Sequence, residues 1–265
     1  LFQKDIGVGA ALGGPLVLST IAYAVIGITI FIFSSRRESG EHIKCDNKKL
    51  ARDQEWFMCI FAFKITLGLV AFTIKPWLGI LFLAAYGIYF YKEMNVKNSA
   101  VAQKLKPLKI TSNNKEPKKS FILIQTIGAL AVIFIGSQMF VNKLNILSNS
   151  LGIAPHMVSL LLSPIATELP EILNAVIWVK QGKESLALSN ISGSMMIQAT
   201  IPSALGIMFT PWLFDKYLII SAIITFIAIL SLQITLKKGH LSDKRLACNI
   251  LLYVLFVIII IFVKN

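Results

Sequence analysis

The sequence predicts an all-α transmembrane protein, on the strength of its composition and its apolar runs. Of the 265 residues, 55% are hydrophobic and 15% are charged, and the mean hydropathy is +0.72. Ordinary soluble domains are less apolar than this. A helix needs roughly 20 apolar residues to cross the hydrocarbon of a bilayer, and the sequence offers about eight such segments. Because these segments lack strand alternation, we expect helices rather than membrane strands.

The positions of the basic residues predict how the protein is oriented. Twenty of the 26 Lys and Arg residues lie in four connections between apolar runs, at 34–55, 92–119, 180–184 and 237–246. These are every second connection, as the positive-inside rule predicts for cytoplasmic loops. The net charge of +13 therefore indicates topology and some attraction to anionic lipid, and we expect no nucleic-acid partner. We predict a multi-pass protein of the cell (plasma) membrane.

The apolar runs give the order of the predicted elements. The eight predicted spans are 7–33, 56–74, 76–91, 120–142, 151–180, 185–210, 213–236 and 246–263. Lys75 and Pro76 predict a tight turn between the second and third spans. Residues 92–119 hold eight lysines and two prolines, which is typical of a flexible linker. The predicted domains are an N-terminal half at 1–94, a basic cytoplasmic linker at 95–119 and a C-terminal half at 120–265.

Neither the start of the chain nor its cysteines predict a function. The chain begins at Leu1, and its first apolar run has neither the basic region nor the cleavage site of a signal peptide. We interpret the chain as a fragment that lacks its natural beginning. The three cysteines show no metal-ligand spacing, and we expect Cys45 to be reduced in a cytoplasmic loop.

Two carboxylates inside an apolar run predict an ion or proton site within the membrane. Glu168 and Glu171 lie in the span 151–180, where a charge is costly unless it is paired, hydrated or bound to an ion. The prolines at 155, 164 and 170 are expected to break this span into half-helices, and the carbonyls that they free can turn toward a cation. The alternative is that the two carboxylates only cap a half-helix after Pro164.

A polar stripe in the next span predicts further oxygen ligands. Asn190, Ser194 and Gln198 are spaced by four, so they share one face of a helix, where they could also serve only as hydrogen-bonding partners between helices. Together with Thr167 and the carboxylates they form a donor set of oxygens without Cys or His. This set favours calcium or sodium over zinc or copper. Two carboxylates three residues apart also let a proton compete with the metal.

The first span and the span 185–210 predict an internal repeat. Sliding the sequence by 180 positions aligns Gly13 with Gly193 and Thr20 with Thr200. The charge distribution makes the two spans run in opposite directions across the membrane. A repeated unit of opposite orientation is the signature of an inverted-repeat transporter.

Two short motifs resemble the cation/calcium exchanger family, typified by sodium/calcium exchangers. Residues 166–171 spell Ala-Thr-Glu-Leu-Pro-Glu, and residues 189–194 spell Ser-Asn-Ile-Ser-Gly-Ser. They are similar to the second of the family's two α-repeats. The resemblance implies an inverted-repeat fold of ten helices, of which the eight spans correspond to helices three through ten. It also implies a secondary active antiporter that exchanges calcium for sodium or protons by alternating access.

The resemblance also implies roles for individual residues. Glu171 matches the cation-binding glutamate, Thr167 the ion-facing threonine and Ser194 the ion-site serine, while Gln198 stands where the family has Asn or Asp. The implied metal-site residues are Thr167, Glu168, Glu171, Asn190, Ser194 and Gln198. The implied partners are calcium, sodium or protons as transported ligands, and the lipid bilayer, with no cofactor and no enzymatic activity.

Three departures from the family pattern keep alternatives open. Glu168 stands where the family usually has Ser, and in the first repeat Gly14 and Leu18 replace Ser and Asn. A degenerate, non-transporting homologue that acts as a subunit or sensor is therefore an alternative. An intramembrane metal-dependent hydrolase that uses the two carboxylates with His156 is a weaker one, because the two-histidine motif of zinc proteases is absent from the sequence.

Lys64 is a basic residue that lies well inside a predicted span. Lys64 falls within 56–74, and we expect its long side chain to snorkel toward the membrane interface. The alternative is that Lys64 is the partner of a buried carboxylate.

Overall fold

The computed structural model describes residues 2–33, 43, 45–71, 73–95, 119–152, 155–239 and 241–264. These residues are mainly helical. The α-helices are α1 (Phe2–Val17), α2 (Tyr23–Ile32), α3 (Asn47–Leu69), α4 (Gly79–Asn95), α5 (Lys119–Leu151), α6 (Pro155–Lys180), α7 (Glu184–Phe209), α8 (Lys216–Lys237), α9 (Asp243–Cys248) and α10 (Ile250–Lys264). Residues 96–118, which make up most of the predicted linker, lie outside the described residues, so the domain boundaries stay predictions.

Six helical segments among the described residues are long and apolar enough to cross a membrane. They are Gly7–Ile32, Lys119–Leu151, Val158–Lys180, Glu184–Phe209, Lys216–Lys237 and Asp243–Val263. This confirms the predicted all-helical membrane fold. The other two predicted spans, 56–74 and 76–91, correspond to α3 and α4. Neither helix is counted among the six, because α3 carries several charged residues and α4 has only 17 residues.

The predicted turn between α3 and α4 is confirmed, and it is fastened to the far end of α7. A short 3₁₀ helix, Lys75–Leu78, holds Pro76 in its first turn. The Lys75 Nζ donates hydrogen bonds to the carbonyls of Val70 at 2.8 Å and Trp212 at 2.7 Å. The Trp212 indole in turn donates to the Lys64 carbonyl at 3.2 Å. These bonds tie the α7–α8 connection to the end of α3.

The first span is a single run of helix with a π-helical turn in its middle. The π-helical turn, Leu18–Ala22, joins α1 to α2. The hydroxyls of Ser19 and Thr20 donate to the Leu16 carbonyl at 3.1 and 2.5 Å. Such turns often occur at functional sites. The turn is buried against α7, α8 and α10.

The prediction that prolines break the span 151–180 into half-helices is wrong. Helix α6 is continuous from Pro155 to Lys180, with Pro164 and Pro170 in its interior. Pro155 begins the helix, where a missing N–H costs nothing. An interior proline deprives the carbonyl four residues earlier of its helical partner, and packing against neighbouring helices lets a membrane helix continue through it.

Helix α7 lies at the centre of the bundle and brings the polar residues of several helices together. It packs against α1, α3, α4 and α6. By contrast, α5 packs mainly against α6, and most of its apolar side chains are exposed. Exposed apolar side chains on a membrane helix are suited to contact with lipid. The polar interior therefore lies between α1, α3, α6 and α7.

Candidate cation site

Glu168 is buried where α6 meets α7. Its side chain is 2% exposed. The Thr167 hydroxyl donates to the Glu168 Oε1 at 3.1 Å, and the Gln198 Nε2 donates to the same oxygen at 2.8 Å. Hydrogen bonds to a carboxylate are among the stronger ones in proteins. Three of the predicted site residues, Thr167, Glu168 and Gln198, are therefore brought together by the fold.

Gly14 of α1 leaves the space that the Gln198 side chain fills. A Cβ at Gly14 would lie 3.0 Å from the Gln198 Cδ and 3.1 Å from its Oε1. A serine at this position, as in the family pattern, would crowd the longer glutamine. The departure at Gly14 and the glutamine at 198 are therefore sterically matched.

Glu171 and Asn190 each carry a buried polar atom that lacks a hydrogen-bond partner among the described residues. These atoms are the Glu171 Oε2 and the Asn190 Nδ2. A buried polar atom without a partner is costly, and such an atom in a cleft is available to a ligand or water. Ser194 lies half-buried on α7 between Asn190 and Gln198. Hydrogen bonds to Glu168 from the described residues come from Thr167 and Gln198 but not from Ser194.

The described residues contain no group of three or more His, Cys, Asp or Glu placed to hold a metal ion. Glu168 and Glu171 are the two carboxylates that α6 offers to a cation here, and hydroxyl, amide and carbonyl oxygens would complete its ligands. That composition suits the hard cations calcium and sodium better than zinc. His156, which the hydrolase alternative requires, has a side chain outside the described part of the structure.

Lys64 does not snorkel, contrary to the prediction from the sequence. Its side chain is fully buried, and its Nζ donates to the Ala11 carbonyl at 3.0 Å and to the Ser203 hydroxyl at 3.2 Å. The carboxylate partner that the alternative requires is not found either, because no described carboxylate pairs with the Lys64 ammonium. A lysine snorkels only if its helix faces lipid, whereas α3 packs against α7 and α8 and the Lys64 ammonium reaches α1 and α7.

A second polar contact in the interior was also missed by sequence reasoning. The Gln54 Nε2 donates to the Tyr23 hydroxyl at 2.9 Å and to the Ser192 Oγ at 3.1 Å. The sequence places Gln54 in a polar cytoplasmic loop, but α3 begins at Asn47 and carries it into the core. The one feature of the sequence that pointed to this contact is Ser192, which precedes the predicted ligand Ser194 by two positions.

Comparison with known proteins gives a family match and several matching folds. A family model described as sodium/calcium exchanger protein matches residues 121–262. A search of curated proteins finds no match. The fold matches that of the H⁺/Ca²⁺ exchanger CAX with a TM-score of 0.78 and 17% identity, over 96% of this chain and 65% of that chain.

Two further solved structures share the fold. Native YfkE matches with a TM-score of 0.70 and 13% identity, over 97% of this chain and 75% of that chain. The sodium-calcium exchanger NCX_Mj matches with a TM-score of 0.62 and 19% identity, over 97% of this chain and 77% of that chain. At these identities the structural matches establish the fold alone, and this chain spans 65% of the length of the H⁺/Ca²⁺ exchanger. The family model covers more than half of the chain and includes both predicted motifs, so the chain belongs to the sodium/calcium exchanger family.

Proposed function

We propose that the protein is a secondary active cation antiporter that exchanges calcium for sodium or protons by alternating access. The single observation that supports this most directly is the pair of carboxylates on α6. Glu168 is anchored to α7 by Gln198, while Glu171, one turn away, has a buried oxygen with no protein partner among the described residues. A buried acceptor of this kind in a membrane helix is suited to a cation.

Glu171 is the proposed primary ligand, and the other five predicted residues complete the site. Calcium takes six to eight oxygens. Two carboxylates, the Thr167 carbonyl, the Ser194 hydroxyl and the side-chain oxygens of the two amides could supply several of them. The Gln198 amide uses its Nε2 on Glu168, which leaves its Oε1 beside Gly14 as a ligand.

Exchange follows if calcium and the counter-ion use the same carboxylates. Glu168 and Glu171 are close enough for their charges to repel each other, so binding of a divalent cation, sodium or protons relieves the same repulsion. Ions that compete for one set of ligands cannot occupy it together. Opening the site to one side of the membrane at a time then couples the two fluxes.

Replacing Glu171 with glutamine tests the proposed ligand. The Glu171→Gln variant keeps the shape of the side chain but loses its charge, and we expect it to abolish calcium-45 uptake by proteoliposomes. Glu55→Gln is the matched control because Glu55 pairs with Lys237 at an exposed site, and we expect it to retain uptake. Full uptake by a folded Glu171→Gln protein would exclude Glu171 as an essential ligand.

One observation favours a non-transporting homologue as a second candidate. Leu18, which stands where the family has Asn, is fully buried in the π-helical turn, so the first repeat adds no side-chain ligand there. A subunit or sensor would still bind calcium at α6 and α7 without moving it. Calcium-dependent stabilisation of the purified protein without any uptake would favour this candidate.

A further inference from the structure

Lys64 occupies a place in the core that a metal cation could fill. Its side chain has no exposed surface, and the Nζ contacts a carbonyl oxygen of α1, a hydroxyl oxygen of α7 and the face of the Phe61 ring, whose centroid is 4.8 Å away. Carbonyl and hydroxyl oxygens are ligands of alkali cations, and an aromatic face also attracts a positive charge. We refer to Ala11, Ser203 and Phe61 as the Lys64 cradle.

Prolines inside two helices free backbone carbonyls in and beside the cradle. Pro15 cannot donate to the Ala11 carbonyl four residues earlier, so this carbonyl is open to the Lys64 ammonium. Pro202 likewise leaves the Gln198 carbonyl without its helical partner, and the Ser203 hydroxyl donates to it at 3.4 Å. The two helices that contain these prolines, α1 and α7, correspond to each other in the repeat that the sequence predicts.

A chain of polar contacts links the ammonium to the candidate cation site. Lys64 donates to Ser203, Ser203 donates to the Gln198 carbonyl, and the Gln198 amide donates to Glu168. The positive end of this chain lies in the cradle and its negative end on α6. These hydrogen bonds therefore connect α3 to the Glu168 carboxylate without a direct ion pair.

We propose that the Lys64 ammonium is a tethered cation in a monovalent-cation site between α1 and α7, and that sodium occupies this site when the ammonium is removed. The lysine holds its amino group, tethered to α3, where a mobile ion would otherwise bind and leave. If the proposed antiport operates, one fewer sodium ion would move in each cycle. Only this consequence of the proposal rests on the antiport.

Sodium-dependent stability of a lysine-free variant tests the proposal without any transport step. Lys64→Met matches the lysine side chain as far as the Cε position but lacks the Nζ, so the Ala11 carbonyl and the Ser203 hydroxyl both lose the donor that Lys64 supplies. All proteins carry Glu171→Gln to weaken ion binding at the carboxylates, and melting is compared in sodium chloride and in choline chloride of equal ionic strength. We expect sodium to raise the Tm of the Lys64→Met protein by about 3 °C or more over the shift of the protein that keeps Lys64.

A second variant identifies the cradle as the place where sodium binds. Adding Ser203→Ala to Lys64→Met removes one cradle oxygen, and we expect the extra sodium shift to disappear. If the Lys64→Met protein can be purified only in sodium, the proposal is likewise supported.

Three results would overturn the proposal. The first is an equal sodium shift with and without Lys64, and the second is an extra shift that survives Ser203→Ala. The third is a Lys64→Met protein that fails to fold in both salts, because sodium then does not replace the ammonium. None of these results depends on calcium uptake, so they are distinct from a failure of the proposed antiport.

Discussion

At the scale of single residues, the candidate site depends on side chains that compensate for one another. Glu168 and Gln198 were both predicted as ligands from the sequence, and the structure joins them by a hydrogen bond of 2.8 Å. The role of Gly14 could not be predicted, because a missing side chain gives no sign of what fills its space. Gly14 and Gln198 lie on different helices, so their fit depends on how closely α1 and α7 approach.

A bulky residue at position 14 should weaken the site through Gln198. In a Gly14→Val variant the Cβ and its methyl groups would overlap the glutamine, whose Cδ is 3.0 Å from the Cβ position. We expect the KM for calcium uptake to rise about tenfold, the loss that goes with one strong hydrogen bond or ligand. Gly7→Val on the same helix is the control, because no atom in the described part of the structure lies within 4 Å of its Cβ position. Equal effects of the two substitutions would contradict the steric account.

Cys45 should react slowly with alkylating reagents, and its rate should depend steeply on pH. Burial, reinforced by the charges of Asp46 and Glu184, raises the pKa of the Cys45 thiol from 9.0 to about 11. The thiolate is the reactive form, so at neutral pH the rate falls by about 100-fold relative to a thiol of pKa 9. In a protein whose only cysteine is Cys45, the rate of iodoacetamide labelling should rise about tenfold per pH unit through pH 10. A plateau by pH 9 would show that the thiol is not shielded.

At the scale of helices, the largest difference between expectation and structure concerns α6. The sequence shows three prolines and predicts half-helices, whereas α6 runs unbroken. The reason lies on α1. Gly13 has no side chain, so α1 approaches the turn around Pro164 and the Leu160 carbonyl that this proline leaves without a helical partner. Local sequence predicts where a helix is weakened, but the packing that supports it comes from residues about 150 positions away along the chain.

The close contact of α1 with α6 should be sensitive to one methyl group. In a Gly13→Ala variant the new Cβ would lie 2.3 Å from the Pro164 Cγ and 2.7 Å from the Leu160 oxygen, so the helices must separate. We expect destabilisation of about 1–3 kcal/mol, the usual cost of overpacking, seen as a lower Tm in detergent. Gly7→Ala should leave the Tm unchanged or raise it. A Gly13→Ala protein as stable as the wild type would show that the two helices do not meet this closely.

At the scale of the whole molecule, composition and hydropathy were enough to predict an all-helical membrane protein. The motifs at 166–171 and 189–194 were enough to predict the family, because a short polar motif in an apolar span is rare. The burial of Lys64 could not be predicted in this way. Its hydrogen-bond partners lie 53 and 139 positions away in the sequence, and only the assembled bundle brings the Lys64 side chain within reach of α1 and α7. The interior of a helical membrane protein is therefore less predictable than its spans.

The proposed antiporter would couple calcium movement to an opposing ion gradient. Its most direct test is calcium-45 uptake by proteoliposomes loaded with sodium, with acid buffer or with choline at neutral pH, and diluted into sodium-free medium at neutral pH. We predict that an outward sodium or proton gradient drives calcium accumulation above the equilibrium level, and that choline-loaded vesicles do not accumulate it. Absence of accumulation under both gradients by folded protein would contradict the antiporter and favour the non-transporting homologue.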